Sequence, residues 1–314
     1  MKKLLLIALS FYVVPGFAAL DAYEKKVSNG KVLFFKGPNL TAEQFSGMPY
    51  NRKPDPAWLE NQTKPDAWRT MAKSLSPDDF KAMTQEELDQ VYMRLSSGPI
   101  LPGDYKGQAM MKGAMTSNIK NFILKKIHGV NLMQTMCGQR DIFECFMEFA
   151  WEGKRIYPAD ASTGEYLLRN AVSQSVAHTI KSVMAPAGKK LIDPSNWLLR
   201  TLSPFPGGLR YMIFPAHLYC GQSMMDHRRE SIVADYAWGS DFSPFIIGLD
   251  DIFGRNFLNI REEIRMVRPG LYLGRVYAQK IFLFNFVLHN PVVEKQAQGG
   301  QWPADACFDG KSTR

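Results

Sequence analysis

At 314 residues, with 46% hydrophobic and 22% charged side chains, the chain has the composition of a folded globular protein, long enough for one large or two modest domains. Nothing in it is low-complexity, and no internal repeat is present, which excludes disordered, fibrous and solenoid architectures. The formal charge of +8 suits a neighbour such as anionic lipid or an acidic polymer as well as plain solubility, but no nucleic-acid-binding motif accompanies it.

The chain opens with Met1-Lys2-Lys3 and the apolar run LLLIALSFYVV from Leu4 to Val14. That run is too short for a bilayer, which takes about 20 residues. Small residues at Gly16 and Ala18 follow it. This is the pattern of a secretory signal peptide cut after Ala18, with a buried N-terminal helix as the alternative. Residues 1–18 are therefore read as a signal peptide, and the mature protein is expected to be exported and, in a Gram-negative source, periplasmic. No Cys follows the apolar run and no later segment is apolar for long enough to cross a membrane.

Residues 19–100 read as an irregular and helical N-terminal region. The stretch 20–60 is rich in prolines and turn formers. Helix signals follow at Pro65–Ala72 and at Ser76-Pro77-Asp78, where Ser is a cap and Pro takes the first turn. Thr84 with Glu87 forms a capping box, after which Leu88, Val91, Tyr92 and Leu95 recur at helical spacing.

Near residue 100 the character changes. Pro102-Gly103-Asp104-Tyr105-Lys106-Gly107 reads as a turn entering a short strand. Ile119, Phe122, Ile123 and Ile127 share one face of a helix over 116–127 whose lysines lie largely elsewhere, either packed on the domain or touching a membrane surface. The spacing of Val172, Val176, Ile180 and Val183 predicts another helix. Strand signals dominate otherwise: 149–157, 209–214 with 219–221 continuing toward a turn, 231–236, two strands around Pro269-Gly270, and 281–288. Pro-Gly suits a type II turn, and a bulge or longer loop is expected there because two-residue hairpins favour the primed turns. The fold class expected is α+β, mostly β: an antiparallel β-barrel-like domain over 101–314, preceded by the short helical region.

Alternation identifies the strand faces. In 281–288 both faces are apolar apart from Asn285, which fits a barrel wall covered on both sides. Asn285 is then either a structural bridge or a polar anchor inside a pocket, because a buried amide needs partners. In 261–268 one face carries Arg261, Glu263, Arg265 and Val267. Those charges are either solvated or paired along the wall of a site. Across the turn, Tyr272 shares a face with Gly274 and Val276, and Arg275 lies on the opposite face with Leu271, Leu273 and Tyr277.

Export gives the cysteines a meaning. Cys137, Cys145, Cys220 and Cys307 make an even count in an oxidising compartment, so two disulfides are expected, with Cys137–Cys145 and Cys220–Cys307 favoured among three pairings. A metal site is disfavoured because paired C-x2-C spacing is absent and no His lies at a matching distance. Gly221-Gln222-Ser223-Met224-Met225 begins as a nucleophile elbow but ends in Met. Asp226, His227 and the following cations form a loop of acid and base, and with Glu263 they are the candidates for acid–base chemistry. No HExxH, acidic metal loop or phosphate-binding glycine loop is present, and no cofactor is implied.

The runs FPAHLYCGQSMMDHRRESIVADYAW and NIREEIRMVRPGLYLGRVYAQKIFLFNFVLHN, with GPILPGDYKGQ and the WEGK segment at Trp151–Lys154, resemble an uncharacterised family of exported proteobacterial proteins. The likeness extends over roughly residues 85–290 and carries no catalytic residues with it. The Trp-x-Gly-Lys strand and the Gly-Leu-Tyr-Leu-Gly hairpin also resemble lipocalin-type barrels. The leading expectation is a periplasmic protein binding an apolar or amphipathic molecule of the lipid or fatty-acid class, with Arg265, Tyr272, Arg275 and Asn285 as contacts for its head group. An envelope or lipid-modifying enzyme using Asp226, His227 and Glu263 is the second expectation. An envelope interaction protein with a filled barrel is the third.

Overall fold

In a computed structural model, which describes residues 22–35, 65–111, 151–160, 165–173, 200–202, 209–224, 226–242, 245, 250–297 and 307, the chain is mostly strand, with few helices. The signal segment 1–18, the helix expected over 116–127 and the pair Cys137–Cys145 lie outside the described residues. Strands β3 (Gly103–Met110), β4 (Trp151–Asp160), β5 (Glu165–Ser173), β7 (Leu209–Gln222), β8 (Glu230–Asp235), β9 (Ile260–Arg268), β10 (Leu271–Ala278) and β11 (Ile281–His289) pair antiparallel, each with the next. β11 returns to β3, so these eight strands close into a barrel. A short β6 (Arg200–Leu202) adds to β7 opposite the β5 side.

The expected turn at Pro269-Gly270 is present. Gly270 has φ 82°, and the register slips between Leu271 and Tyr272. Two expectations need correction. Residues 22–35, read as irregular, form a hairpin of β1 (Ala22–Val27) and β2 (Gly30–Phe35); the charged β1 and the unbroken apolar run Val32–Phe35 lack the alternation that declares a face. Val172, the first residue of the expected helix, belongs to strand β5; Val176, Ile180 and Val183 lie outside the described residues. The pairs Leu167-Leu168 and Ala171-Val172 suit either period, and a register shift between Leu168 and Asn170 breaks the alternation that would have marked a strand.

Two apolar cores result, one on each side of the barrel wall. The inner one gathers Tyr105, Trp151, Ile156, Leu168, Ile264, Tyr272 and Phe286, among others. The outer one joins β9–β11, through Val267, Leu271, Leu273 and Val287, to β1, β2 and helices α1 (Pro65–Ser74) and α2 (Gln85–Arg94). The last strand is therefore buried on both faces, as its composition requires. A third helix, α3 (Pro291–Ala297), follows β11, with Asn290 Oδ1 accepting from the N–H groups of Val292 and Val293.

The capping box at Thr84 forms as expected: Thr84 Oγ1 accepts from Glu87 N–H at 3.2 Å, and the Glu87 carboxylate accepts from Thr84 N–H at 2.8 Å. The same carboxylate takes Lys25 at 2.7 Å and Tyr23 at 2.9 Å, tying the hairpin to α2. Burial pushes the Glu87 carboxyl up, but Lys25, Thr84 N–H and Tyr23 together outweigh it and hold it below the ordinary 4.5. A carboxyl with a depressed folded-state pKa contributes stability above its unfolded value and loses it as pH falls through the folded one. Stability should therefore decline on acidification from about pH 4.5, and Glu87→Gln should flatten that part of the pH profile in thermal melts. An unchanged acid limb in Glu87→Gln would remove this carboxylate from the account.

Candidate functional site

Among the described residues, the inner wall is apolar apart from one cluster. β4 carries a bulge between Trp151 and Gly153, so Trp151 and Lys154, three residues apart, both face inward. Lys154 stands opposite Asn170 of β5. From β9 comes Glu262, flanked on its face by Ala234 of β8 and Val276 of β10. Tyr236 continues the inward face of β8 into a 3₁₀ turn. A second irregularity, at Phe214 in β7 with φ 51°, sends its N–H to Asp250 at 2.7 Å and leaves its carbonyl to accept from Asn170.

These side chains form a closed set of hydrogen bonds. Lys154 Nζ donates to Asn170 Oδ1 at 2.6 Å, Glu262 Oε1 at 2.8 Å and Tyr236 Oη at 3.0 Å. Tyr236 donates to Glu262 Oε1 at 3.0 Å and accepts from Asn170 Nδ2 at 2.9 Å. Trp151 Nε1 donates to Asn170 Oδ1 at 2.9 Å. Three rings surround the ammonium: Trp151 and Phe286 at 5.2 Å and Tyr236 at 5.7 Å. The Phe286 ring lies against Gly274, where any Cβ would overlap it. Phe214 stacks on Phe253 at 4.1 Å, and Tyr236 meets Phe253 edge to face.

The set is buried: Lys154 is 1% exposed and Glu262 4%. Burial lowers the Lys154 pKa against the opposing pull of Glu262, and burial raises the Tyr236 hydroxyl well above its ordinary value. One atom of the set is left over. Glu262 Oε2 is buried and accepts no hydrogen bond.

Beside this cluster, where Tyr105 pairs with Lys154 across β3 and β4, the chain entering β3 crosses one end of the barrel. Tyr272 donates to Pro99 O at 3.1 Å and Tyr105 to Leu101 O at 2.9 Å, their rings meet edge to face, and Ile100 packs on the inner core. The expected disulfide Cys220–Cys307 is present at this end, with Cys307 in the inner core and its N–H bonded to Glu230.

Of the sequence candidates for a head-group site, Tyr272 alone faces the interior. Arg265, Arg275 and Asn285 lie together on the outer face of β9–β11, under α2. Arg275 pairs with Asp89, Arg265 donates to the carbonyl of Tyr92 and to Ser231, and Asn285 donates to Gln85 at 2.7 Å. Both guanidiniums lie over the Tyr92 ring, at 4.4 and 4.6 Å. Burial works against the Arg275 charge, but the Asp89 carboxylate outweighs it and raises that pKa, whereas burial lowers that of Arg265. The face is thus neither solvated nor part of the interior; its polar groups fasten the N-terminal helix to the barrel. Asp89→Asn keeps the shape and removes the charge. It should lower stability by about 2 kcal/mol, the loss expected for a charge-assisted bond, read as a lower urea midpoint at unchanged slope.

The acid–base candidates do not converge. Asp226 accepts from Arg228, whose hydrogen bond holds its carboxyl below the usual range. His227 is exposed. Glu263 is buried on the outer face, accepting from Ser223 Oγ at 2.8 Å, from Met224 N–H at 2.6 Å and from Arg261. Among the described residues, no group of three or more His, Cys, Asp or Glu side chains is placed to hold a metal ion. Sequence reading passed over Lys154, Asn170, Tyr236 and Glu262 as site residues. The bulges that bring them together leave only one trace, the three-residue spacing of Trp151 and Lys154 within WEGK. The eight-stranded antiparallel barrel is compatible with a lipocalin-like fold. No family model, no curated protein and no solved structure matches this chain.

Proposed function

We propose that this is an exported, periplasmic, lipocalin-like protein that binds an apolar or amphipathic small molecule of the lipid class inside its barrel. The observation that carries the reading is a polar cluster that, among the described residues, stands in an apolar interior, with the buried acceptor Glu262 Oε2 unmatched. Native proteins rarely leave such an oxygen without a donor, and a ligand supplies one. The signal-like N-terminus and the Cys220–Cys307 disulfide support an oxidising compartment. The Lys154 cluster replaces Arg265, Arg275 and Asn285 as the site for the ligand's polar end.

Extraction of the purified full-length protein into organic solvent, followed by mass spectrometry, should recover a stoichiometric small molecule. Replacing Lys154 and Glu262 together by Met and Leu should abolish that recovery. A wild-type protein that yields no molecule and binds no neutral or acidic long-chain compound in calorimetry would end this reading in favour of a filled barrel.

A further inference from the structure

The chemistry of the leftover atom specifies the ligand's head group, granted the interior binding site just proposed. An ammonium has three protons to donate. Those of Lys154 are all taken, by Asn170, Tyr236 and Glu262. The two amide protons of Asn170 go to Tyr236 and to Phe214 O, the indole proton of Trp151 goes to Asn170, and the hydroxyl proton of Tyr236 goes to Glu262. The cluster therefore holds no donor for an incoming acceptor. The valence that it does hold is an acceptor, Glu262 Oε2.

Charge narrows the choice further. Lys154 and Glu262 neutralise one another at 2.8 Å. A carboxylate brought beside Glu262 Oε2 meets like charge and no donor. An alkylammonium supplies donors but adds an uncompensated charge to an apolar interior. An ester or ketone offers acceptors only. A neutral head bearing an O–H or N–H matches on both counts.

We infer that the barrel selects long-chain molecules with an uncharged hydrogen-bond-donating head, an alcohol or a primary amide, received by Glu262 Oε2. Glu262 is then a specificity-determining residue, and fatty-acid anions are discriminated against.

Calorimetric titration of the full-length, delipidated protein with dodecanol, dodecanamide, methyl dodecanoate, dodecanoate and dodecylamine reads this directly. The alcohol and amide should bind at least about tenfold tighter than the ester, the carboxylate and the amine, because a buried acceptor denied its donor is penalised. In Glu262→Gln the amide oxygen has to serve Lys154 and Tyr236. This turns the NH2 to where the free oxygen stood, so the preference should invert toward the ester. If no member of the set binds, the binding-protein reading itself fails. If the ester or carboxylate binds as tightly as the alcohol, binding stands and the head-group assignment falls. A donor preference that survives in Glu262→Gln overturns the role of Glu262. The wild-type ranking decides the matter by itself if that variant does not fold.

Discussion

Lys154→Met should lower the stability of the folded protein by about 3–5 kcal/mol in urea denaturation, the loss that follows when one partner of a buried ion pair is removed. The size follows from what stays behind. Glu262 is 4% exposed, and without the ammonium its carboxylate keeps only the Tyr236 hydroxyl as a donor. Asn170 loses a charged donor and Tyr236 a proton to accept. Adding Glu262→Leu removes the orphaned charge and restores apolar packing beside Ala234 and Val276, so the double variant should recover at least about half of the loss. A double-mutant cycle with simple additivity would mean that the two groups do not act as a pair.

The second large effect concerns the disulfide. Cys220–Cys307 closes a segment of 87 residues. Cutting it with Cys220→Ser and Cys307→Ser should lower stability by about 4 kcal/mol, since a link of that span removes much of the freedom of the unfolded chain. Two further groups are involved. Cys307 lies in the inner core, and its N–H is bonded to Glu230, which also accepts from Ser97 Oγ on the chain crossing that end. The wild type should show the loss on adding reductant, and the double serine variant should respond less, since of the expected pairs only Cys137–Cys145 remains to be reduced. Equal urea midpoints for oxidised and reduced wild type would exclude a stabilising role.

Local signals were legible in the sequence. The capping box, the turn at Pro269-Gly270 and the two apolar faces of 281–288 each depend on residues a few positions apart, and each is present. Alternation also placed Glu263 and Arg265 on one face of β9 and set Arg275 opposite Tyr272 in β10, as found. What it could not show was the covering layer. Asp89, Tyr92 and Gln85 reach that face from a helix distant in sequence, and no periodicity within β9 or β10 records their arrival. The interior cluster was hidden for a related reason. A bulge resets the alternation between Trp151 and Lys154, so simple period-two reading puts these two on opposite faces. A lysine in a strand is also exposed far more often than it is enclosed by three rings.

The barrel closes by pairing its first strand with its last, and this governs the order of assembly. Hairpins such as β9–β10 and β10–β11 join neighbours in the chain and form on a microsecond scale. The β3–β11 seam instead has to gather opposite ends of the domain, and its loop entropy is repaid only once the intervening strands are in place. The hairpin β1–β2 and helices α1 and α2 rest on the outer face of β9–β11, so they have no surface to fold against before those strands exist. The hairpin β1–β2 and helices α1 and α2 are made before the strands they rest on, and they find their place after them.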